Sequence, residues 1–525
     1  MRERYAATII IVCILFLLVN PLLIMAPSRR DFRNLKLQKS IEPAAYIECP
    51  PFSIAGNADF ALKAVANGWQ GNGTYSNPFI INNLNITSTS GSTILTSISN
   101  TDVYFRIEGC IFVGGSIGIQ FANVANGIIF NNTIQDSSLQ GCVVGGSHNI
   151  QFGNNSISRI KTSGLGLYWF DSHNCSISNN TIEGNCDRGI LMDYSTNCSI
   201  SHNTISYHSV LGFKLRDSNG NMIHGNTIYS NGIAGITLGN ANNCTLTENI
   251  VFNNSEVGID LQWSSHTLIQ SNLIYNHPEQ GVRIYGPSNA ILNNTIVNNS
   301  ISALQIWSSG SSIKYNNFID NGKEWADVQD DTSDNKYDYN YWSQWTWPDA
   351  DNDMIVDNFK HVSEAEGNYD YHPVTVPYKD LRIHILSKPH IINPDEYTAN
   401  IHTSCIVTWM PSGDTFRHTI QYSLDYSTDE GEWIEIGAGI SVNYYFWNLT
   451  SIPDRTNITF RVTAYCSSGN STEGYSKAYI VLENMYIPPN HSPPDYLLRD
   501  LSIGLGGSAI VLVLIFLLVR KRRSR

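Results

Sequence analysis

The sequence predicts an all-β molecule: a parallel β-helix of about eleven coils, then a β-sandwich, with an apolar transmembrane-length segment at each terminus. Three observations carry this. An Asn-x-Ile phrase returns at nearly fixed spacing through the first two thirds of the chain. Alternating strand patterns replace it after residue 380, and long apolar runs stand at both ends.

The repeat comes first. Asn132, Asn155, Asn180, Asn203, Asn226, Asn249, Asn272, Asn294 and Asn316 follow one another at 23, 25, 23, 23, 23, 23, 22 and 22 residues. Two degenerate copies precede them, around NLNITS (83–88) and EGCIFV (108–113). A period in the low twenties means one small structural unit stacked many times. The leucine-rich consensus is missing. A typical copy is a short strand beginning Gly-Ile, such as GIQF (118–121), GILM (189–192), GITL (235–238) or GIDL (258–261), then a turn, Asn-x-Ile and a second turn. No helical period runs through 80–320. Stacking such coils at the sheet spacing of ~4.8 Å buries the Ile residues. Asn is expected at the coil corner, because it tolerates left-handed backbone and its amide can bond the Asn above and below.

These phrases resemble the right-handed β-helix repeats of the NosD-like, carbohydrate-binding and sugar-hydrolase (CASH) families, of the kind seen on archaeal surface proteins. GWQGNGTYSNPFIINNLNI (68–86) is similar to their first coil. YNYWSQWTWPDADNDMIVDNF (339–359) with YDYHPV (369–374) is similar to their closing stretch. The resemblance covers roughly 52–375 and implies a right-handed helix there. It implies fold rather than activity. The copper-insertion role of NosD is not implied, since no Met/His tract is present.

Composition agrees. The chain has 525 residues and a net charge of −13, which excludes a nucleic-acid binder built on a basic face. Residues 5–25 are apolar after MRER, so 1–26 reads as a signal peptide or signal anchor, followed by a linker over 27–51. LSIGLGGSAIVLVLIFLLV (501–519) and the basic RKRRSR (520–525) read as a transmembrane helix (500–519) and a cytoplasmic tail. Residues 27–499 are then expected outside the cell. Arg29, Arg30, Arg33, Lys36 and Lys39 oppose that orientation, while fifteen Asn-x-Ser/Thr sequons favour it. Those within the helix read as by-products of the ladder, and Asn448, Asn457 and Asn470 as glycan acceptors. The ten cysteines show no CxxC pair and no His/Cys spacing for zinc.

Over 380–485 the stretches CIVTWMP (405–411), HTIQYSLDYS (418–427), GEWIEIG (431–437), NYYFWNL (443–449) and ITFRVTAYC (458–466) alternate at sandwich spacing. They resemble a fibronectin type III or Ig-like domain, with Trp409 as core tryptophan. Cys405 shares parity with Trp409, and Cys466 with Phe460, Val462 and Ala464. A Cys405–Cys466 disulfide and two buried thiols both fit. A proline-rich stalk (486–499) follows.

Candidate chemistry lies in two places. Aligning the Gly-Ile strands gives an outward column Gln120, Val143, Gly166, Leu191, Lys214, Thr237, Asp260, Arg283, Gln305. A second column reads Ala122, Gly145, Tyr168, Asp193, Arg216, Gly239, Gln262, Tyr285, Trp307, with Trp169 and Trp263 beside it. Tyr168, Trp169, Gln262, Trp263, Arg283, Tyr285 and Trp307 suit an extended polysaccharide, because rings stack on apolar sugar faces and polar groups bind hydroxyls. Asp193, Lys214, Arg216 and Asp260 are the candidates for catalysis. Asp193 and Asp260 stand three coils apart, ~14 Å, too far for a glycosidase pair. A lyase would use Lys214 or Arg216 as base, whereas stacked Asp193–Arg216 and Asp260–Arg283 also fit plain salt bridges. The second place is DADNDMIVD (349–357). Asp349, Asp351, Asp353 and Asp357 take positions 1, 3, 5 and 9 of a calcium-loop pattern, with Met354 at the usual Gly position. Trp325, Trp342, Trp345 and Trp347 nearby are expected to plug the end of the helix. The functions expected are glycan binding or cell-envelope adhesion, a polysaccharide lyase or glycoside hydrolase in the same groove, or an architectural role.

Overall fold

The computed structural model describes residues 46–481 apart from 162, 185, 323–326, 363–367, 381, 395–399, 402–403, 429–430, 450–451 and 454–455. Both apolar runs, the stalk and Trp325 lie outside the described residues, among which no helix is long and apolar enough to cross a membrane. Three sheets of 13, 12 and 14 strands, parallel except where Lys360–His361 pairs with Tyr369–Asp370, run along a β-helix of about eleven turns. Each turn passes through the sheets in a fixed order. Ile117–Val124 lies in the second sheet, Gly127–Phe130 in the third and Thr133–Gln135 in the first. The helix begins inside the expected linker, where Ile47–Cys49 pairs with Leu84–Ser88.

Inward residues stack in file. In the first sheet Ile134, Ile157, Ile182, Ile205, Ile228 and Val251 lie in register, all buried. Each such side chain contributes roughly 1.5–3 kcal/mol on burial. The Gly of Gly-Ile is set by close approach: a Cβ on Gly235 would stand 2.5 Å from Val251 Cγ1 and 2.8 Å from the Gly258 carbonyl.

The asparagines form a buried ladder, but with a different division of labour from the one expected. The backbone N–H of Asn132 donates to Asn155 Oδ1 (2.9 Å), Asn155 N–H to Asn180 Oδ1 (2.8 Å), and so on through Asn316 to Asn340 (3.0 Å). Asn340 ends the file on Asp370 Oδ2 (3.0 Å). Left-handed backbone belongs to the preceding residue, as at Asn131, Asn154 and Asn179 with φ of 56°, 56° and 55°. In Asn131-Asn132-Thr133 the first Asn turns the corner in solvent, the second bonds the neighbouring coils, and Thr starts the strand. A second file at another corner runs Asn231, Asn254, His277, Asn299, Asn321. A third is made of Ser147, Ser172, Ser195 and Ser218 hydroxyls. Fixed corner chemistry is what lets each coil stack on the last without stranded backbone groups.

Both ends are covered. At the N-terminal end helix α1 (Gly56–Asn67), which the sequence reading did not anticipate, buries Phe60 and Ala64. Phe60 lies 4.9 Å from Phe79 and 5.3 Å from Phe105. At the other end Trp342 is fully buried, donates to Asp370 Oδ2 (2.9 Å), and sits with Trp345 under the Lys360 ammonium at 5.2 and 5.4 Å.

After residue 380 two sheets share one core. One holds His390–Asn393, Ser404–Met410 and Tyr444–Asn448. The other holds Asn400–Ile401, Tyr479–Val481, Asn457–Cys466, Ile420–Thr428 and Ile434–Ile440, with Ser471–Tyr475 beside Asn457–Cys466. Trp409 is buried as expected. Of the two arrangements left open for Cys405 and Cys466, the structure has free thiols rather than a disulfide. Cys405 pairs with Trp447 in one sheet and Cys466 with Ile420 in the other.

Candidate functional site

The outward columns form on the second sheet, with one correction. Val143 pairs with Tyr168, not Gly166, and Tyr168 with Leu191. The second column has Phe170 in place of Tyr168, between Gly145 and Asp193. The coil from Asn155 to Asn180 has 25 residues, and its two extra residues fall before strand Leu165–Phe170, which shifts the register. Trp169 is also corrected. It lies between Val144 and Met192 in an inward file, fully buried, and cannot meet a ligand.

Three of the remaining aromatics come together, while Tyr168 stands apart, 5.3 Å from Phe170. Tyr285 stacks on Trp307 with ring centres 4.4 Å apart and planes 12° from parallel, and Trp263 leans on Tyr285 at 5.9 Å. Trp263 is 73% exposed and has φ of +58°. Its corner is occupied in earlier coils by Asp171, Tyr194, Asp217 and Asn240, all left-handed. Asp and Asn suit that backbone; a bulky ring held there costs roughly 1–2 kcal/mol. An exposed indole in left-handed backbone gains nothing from burial there, and its ring contact is with Tyr285.

Charged groups flank the stack. Arg216 binds Asp193 with Nε at 3.0 Å and a second bond through Nη2. Arg283 binds Asp260 at 3.2 and 2.9 Å, and Gln262 Nε2 donates to the same carboxylate at 2.7 Å. Both aspartates are buried and three strands apart, so neither is placed as the partner of the other. Lys214 stands between them in sequence order and makes no ion pair among the described residues. Burial, and then the charges of Arg188 and Arg216, lower its pKa. Tyr168 lies beside Asp193, and its phenol is raised by burial and then by that carboxylate.

In the acidic loop the carboxylates of Asp349, Asp351 and Asp353 come within 4.8 Å of one another. Asp357 is not in that group and accepts the Ala350 N–H at 2.9 Å. Met354, standing where the pattern has Gly, adopts the left-handed conformation that Gly usually supplies (φ +70°). Elsewhere Tyr229, Phe252 and Tyr275 stack flat at 4.9 and 5.0 Å on the outside of the first sheet. That file leads to a cleft of about 600 Å³ lined by Tyr275, Val297, Asp320, His384, Lys388 and Asn470. The aromatic file is legible in the repeat, since Tyr229, Phe252 and Tyr275 each stand three residues after a ladder asparagine (Asn226, Asn249, Asn272), a column outside the two aligned from the Gly-Ile strands. The cleft is not legible, because its lining comes from distant segments.

Fold and repeat define a right-handed parallel β-helix protein. The family model described as a right-handed β-helix region matches residues 154–301 and 255–344. No curated protein matches the chain. Among solved structures it is similar to the periplasmic alginate epimerase AlgG (12% identity, 55% of this chain and 83% of that one, TM-score 0.36). A DFA-IIIase from Arthrobacter chlorophenolicus A6 without its lid is 11% identical over 54% of this chain and 89% of that one, with TM-score 0.39. The Dettilon tailspike protein is 10% identical over 73% of this chain and 80% of that one, with TM-score 0.37.

Proposed function

We propose that the chain binds an extended polysaccharide along the second sheet, with Trp263, Tyr285 and Trp307 as the stacking platform. The observation that carries this is the exposed, left-handed Trp263 lying against the Tyr285–Trp307 stack. Three rings on successive coils follow the helix axis, which suits a chain ligand better than a single sugar. Lys214 makes no ion pair among the described residues, its nearby carboxylates Asp193 and Asp260 being bound by arginines, and so favours an acidic glycan. Binding is favoured over lyase or hydrolase chemistry because Asp193 and Asp260 are both held by arginines. On this reading residues 27–499 stand outside the cell, tethered by the apolar run 501–519 and its basic tail. The partition of strands between the two C-terminal sheets supports a fibronectin type III-like spacer. Calcium at Asp349, Asp351 and Asp353 belongs to the same proposal, as an ion that stiffens the cap.

The test uses the full chain and a panel of neutral and acidic polysaccharides, with calcium and with chelator, following retention and cleavage together. Trp263→Ala with Trp307→Ala should weaken retention by roughly tenfold per ring. Unchanged retention would reject the platform. Chain cleavage lost in Lys214→Met would instead make the protein an enzyme.

A further inference from the structure

At the joint between the β-helix and the sandwich, four side chains from three separate segments converge. His384 Nε2 lies 3.0 Å from Asp414 Oδ2, and His418 Nδ1 lies 3.1 Å from the same oxygen. The two imidazole nitrogens are 3.2 Å apart, and Cys466 Sγ is 3.7 Å from His384 Nε2. All four donor atoms fall within 4.8 Å of one another. Asp414 and Cys466 are buried.

We propose that these four residues form a tetrahedral zinc site. The distances are those of an ion's coordination edges. Zn–N and Zn–O bonds of ~2.0 Å at the tetrahedral angle put ligand atoms ~3.3 Å apart, and a Zn–S bond of ~2.3 Å puts sulfur ~3.6 Å from nitrogen. Hydrogen bonding alone accounts for the group less well. If both imidazoles donate to Asp414 Oδ2, their two N–H groups face each other with the nitrogens 3.2 Å apart, so one contact of the three is left unsatisfied. A divalent cation at the centre satisfies all of them at once.

The surrounding bonds orient the set as metal sites require. Asp414 Oδ1 accepts the Phe416 N–H (2.6 Å), which fixes the carboxylate and leaves Oδ2 for the ion. Asn470 Nδ2 stands 2.8 Å from His384 Nδ1, and a half-turn of the amide exchanges its nitrogen for its oxygen there. With the amide oxygen turned to that nitrogen, Nδ1 keeps its proton and Nε2 presents its lone pair. Ser468 Oγ lies 2.9 Å from Cys466 Sγ and can donate to a thiolate. Phe416 stacks on His384 at 4.7 Å. Thr415 ties the segments together, its hydroxyl donating to the Ile383 carbonyl (2.8 Å) and accepting from Ile385 N–H (3.0 Å). On binding, the Cys466 thiol releases its proton to solvent and the thiolate joins the ion.

Four protein ligands and no open position make the site structural rather than catalytic. What it would hold is the connector. Just beyond His384, Ser387 Oγ meets Tyr341 OH of the helix end at 3.2 Å, and the Lys388 N–H donates to Asp320 at 3.3 Å. An ion fastening His384 to Asp414, His418 and Cys466 therefore fixes the sandwich to the strand-end residues of the β-helix. The inference stands apart from the glycan reading.

The test is metal content and cobalt spectroscopy on the full chain, stripped with chelator and reloaded. One zinc per chain is expected, and cobalt should give a thiolate charge-transfer band. Cys466→Ser should remove that band and Cys405→Ser should keep it. His384→Gln and His418→Gln should each weaken zinc roughly 100-fold or more, beyond the 10–100-fold of a lost supporting contact. Each variant is compared with wild type in chelator, where equal melting shows that the fold survives without metal. Combined Asp349→Asn, Asp351→Asn and Asp353→Asn should leave the bound zinc in place. The proposal is overturned by a natively folded chain that takes up no stoichiometric zinc. Survival of the band in Cys466→Ser, or loss of the ion in the triple aspartate variant, overturns it equally.

Discussion

Asn226→Ala tests the ladder at its middle. Asn226 Oδ1 accepts the backbone N–H of Asn203 (2.9 Å) and the Asn203 side-chain amide (2.9 Å). Its own Nδ2 donates to the Ile200 carbonyl (2.9 Å) and to Asn249 Oδ1 (3.0 Å). Truncation leaves the Asn203 N–H with no acceptor in a buried corner, and four further bonds are lost, among them Nδ2 to the His224 carbonyl (3.2 Å). A stranded buried donor costs roughly 1–3 kcal/mol and each ordinary bond about 1, so the sum is ~5–7 kcal/mol, less whatever an entering water restores. Stacked coils touch only their neighbours, so the defect should also uncouple the two halves. Urea unfolding followed by circular dichroism should show a lower midpoint and a broader or split transition, and hydrogen exchange should show lost protection at Asn203. Asn226→Asp sharpens the test. It keeps the acceptor but turns a carboxyl group toward Ile200 O and Asn249 Oδ1, which demands a proton, so its folded pKa is raised. The variant should be less damaging near pH 4 and worse as pH rises. A ΔΔG within about 0.5 kcal/mol of zero for Asn226→Ala, with Asn203 still protected, would refute the ladder as a source of stability.

Two further outcomes follow from burial. Gly235 and Gly239 share one strand, yet a Cβ on Gly235 would collide at 2.5 Å while Gly239 has nothing nearer than 3.7 Å. Gly235→Ala should cost ~1–3 kcal/mol and Gly239→Ala under ~0.5 in the same unfolding assay; equal effects would contradict the stacking geometry. Burial pushes Asp327 up to about 7, against the pull of Lys360, and Asp320 up to about 6. Carboxylates with folded pKa above the unfolded ~4 hold protons that the unfolded chain releases, so stability falls as pH rises from ~4 toward 7. Asp327→Asn should flatten that slope between pH 6 and 7; an unchanged slope would exclude Asp327 as its source.

What the sequence shows plainly is what repeats. The Asn-x-Ile phrase is readable because the same interior and the same corner recur about eleven times, and the five expected strands of the sandwich are readable because alternation is local. Tertiary partners are another matter. The two-residue insertion before Leu165 leaves the phrase intact but shifts Tyr168 and Phe170 by a column, and Trp169 turns inward with them. Helix α1 is a single 12-residue segment in a strand-rich chain, and its one buried i, i+4 pair, Phe60 and Ala64, is too short a pattern to stand out beside the repeat. The cluster of His384, Asp414, His418 and Cys466 is invisible because its spacings, 30, 4 and 48 residues, mean nothing until the Leu386–Asp414 bridge and the Ile420–Cys466 pairing fold them together.

In a repetitive chain the useful signal is therefore the residue that departs from its column. At the corner after the second sheet the left-handed residues run Asp171, Tyr194, Asp217, Asn240, Trp263. Asp and Asn there serve the fold. Tyr194 and Trp263 fill the same backbone with rings that the fold does not need and leaves 57% and 73% exposed. Stability alone would return both to Asp or Asn, so Tyr194→Asn and Trp263→Asn should hold or raise the melting temperature. Trp263→Asn should at the same time lose glycan retention, since only the second change removes part of the Tyr285–Trp307 platform. Destabilisation by Trp263→Asn would mean that the indole is packing rather than recognition, and the platform would lose its main support.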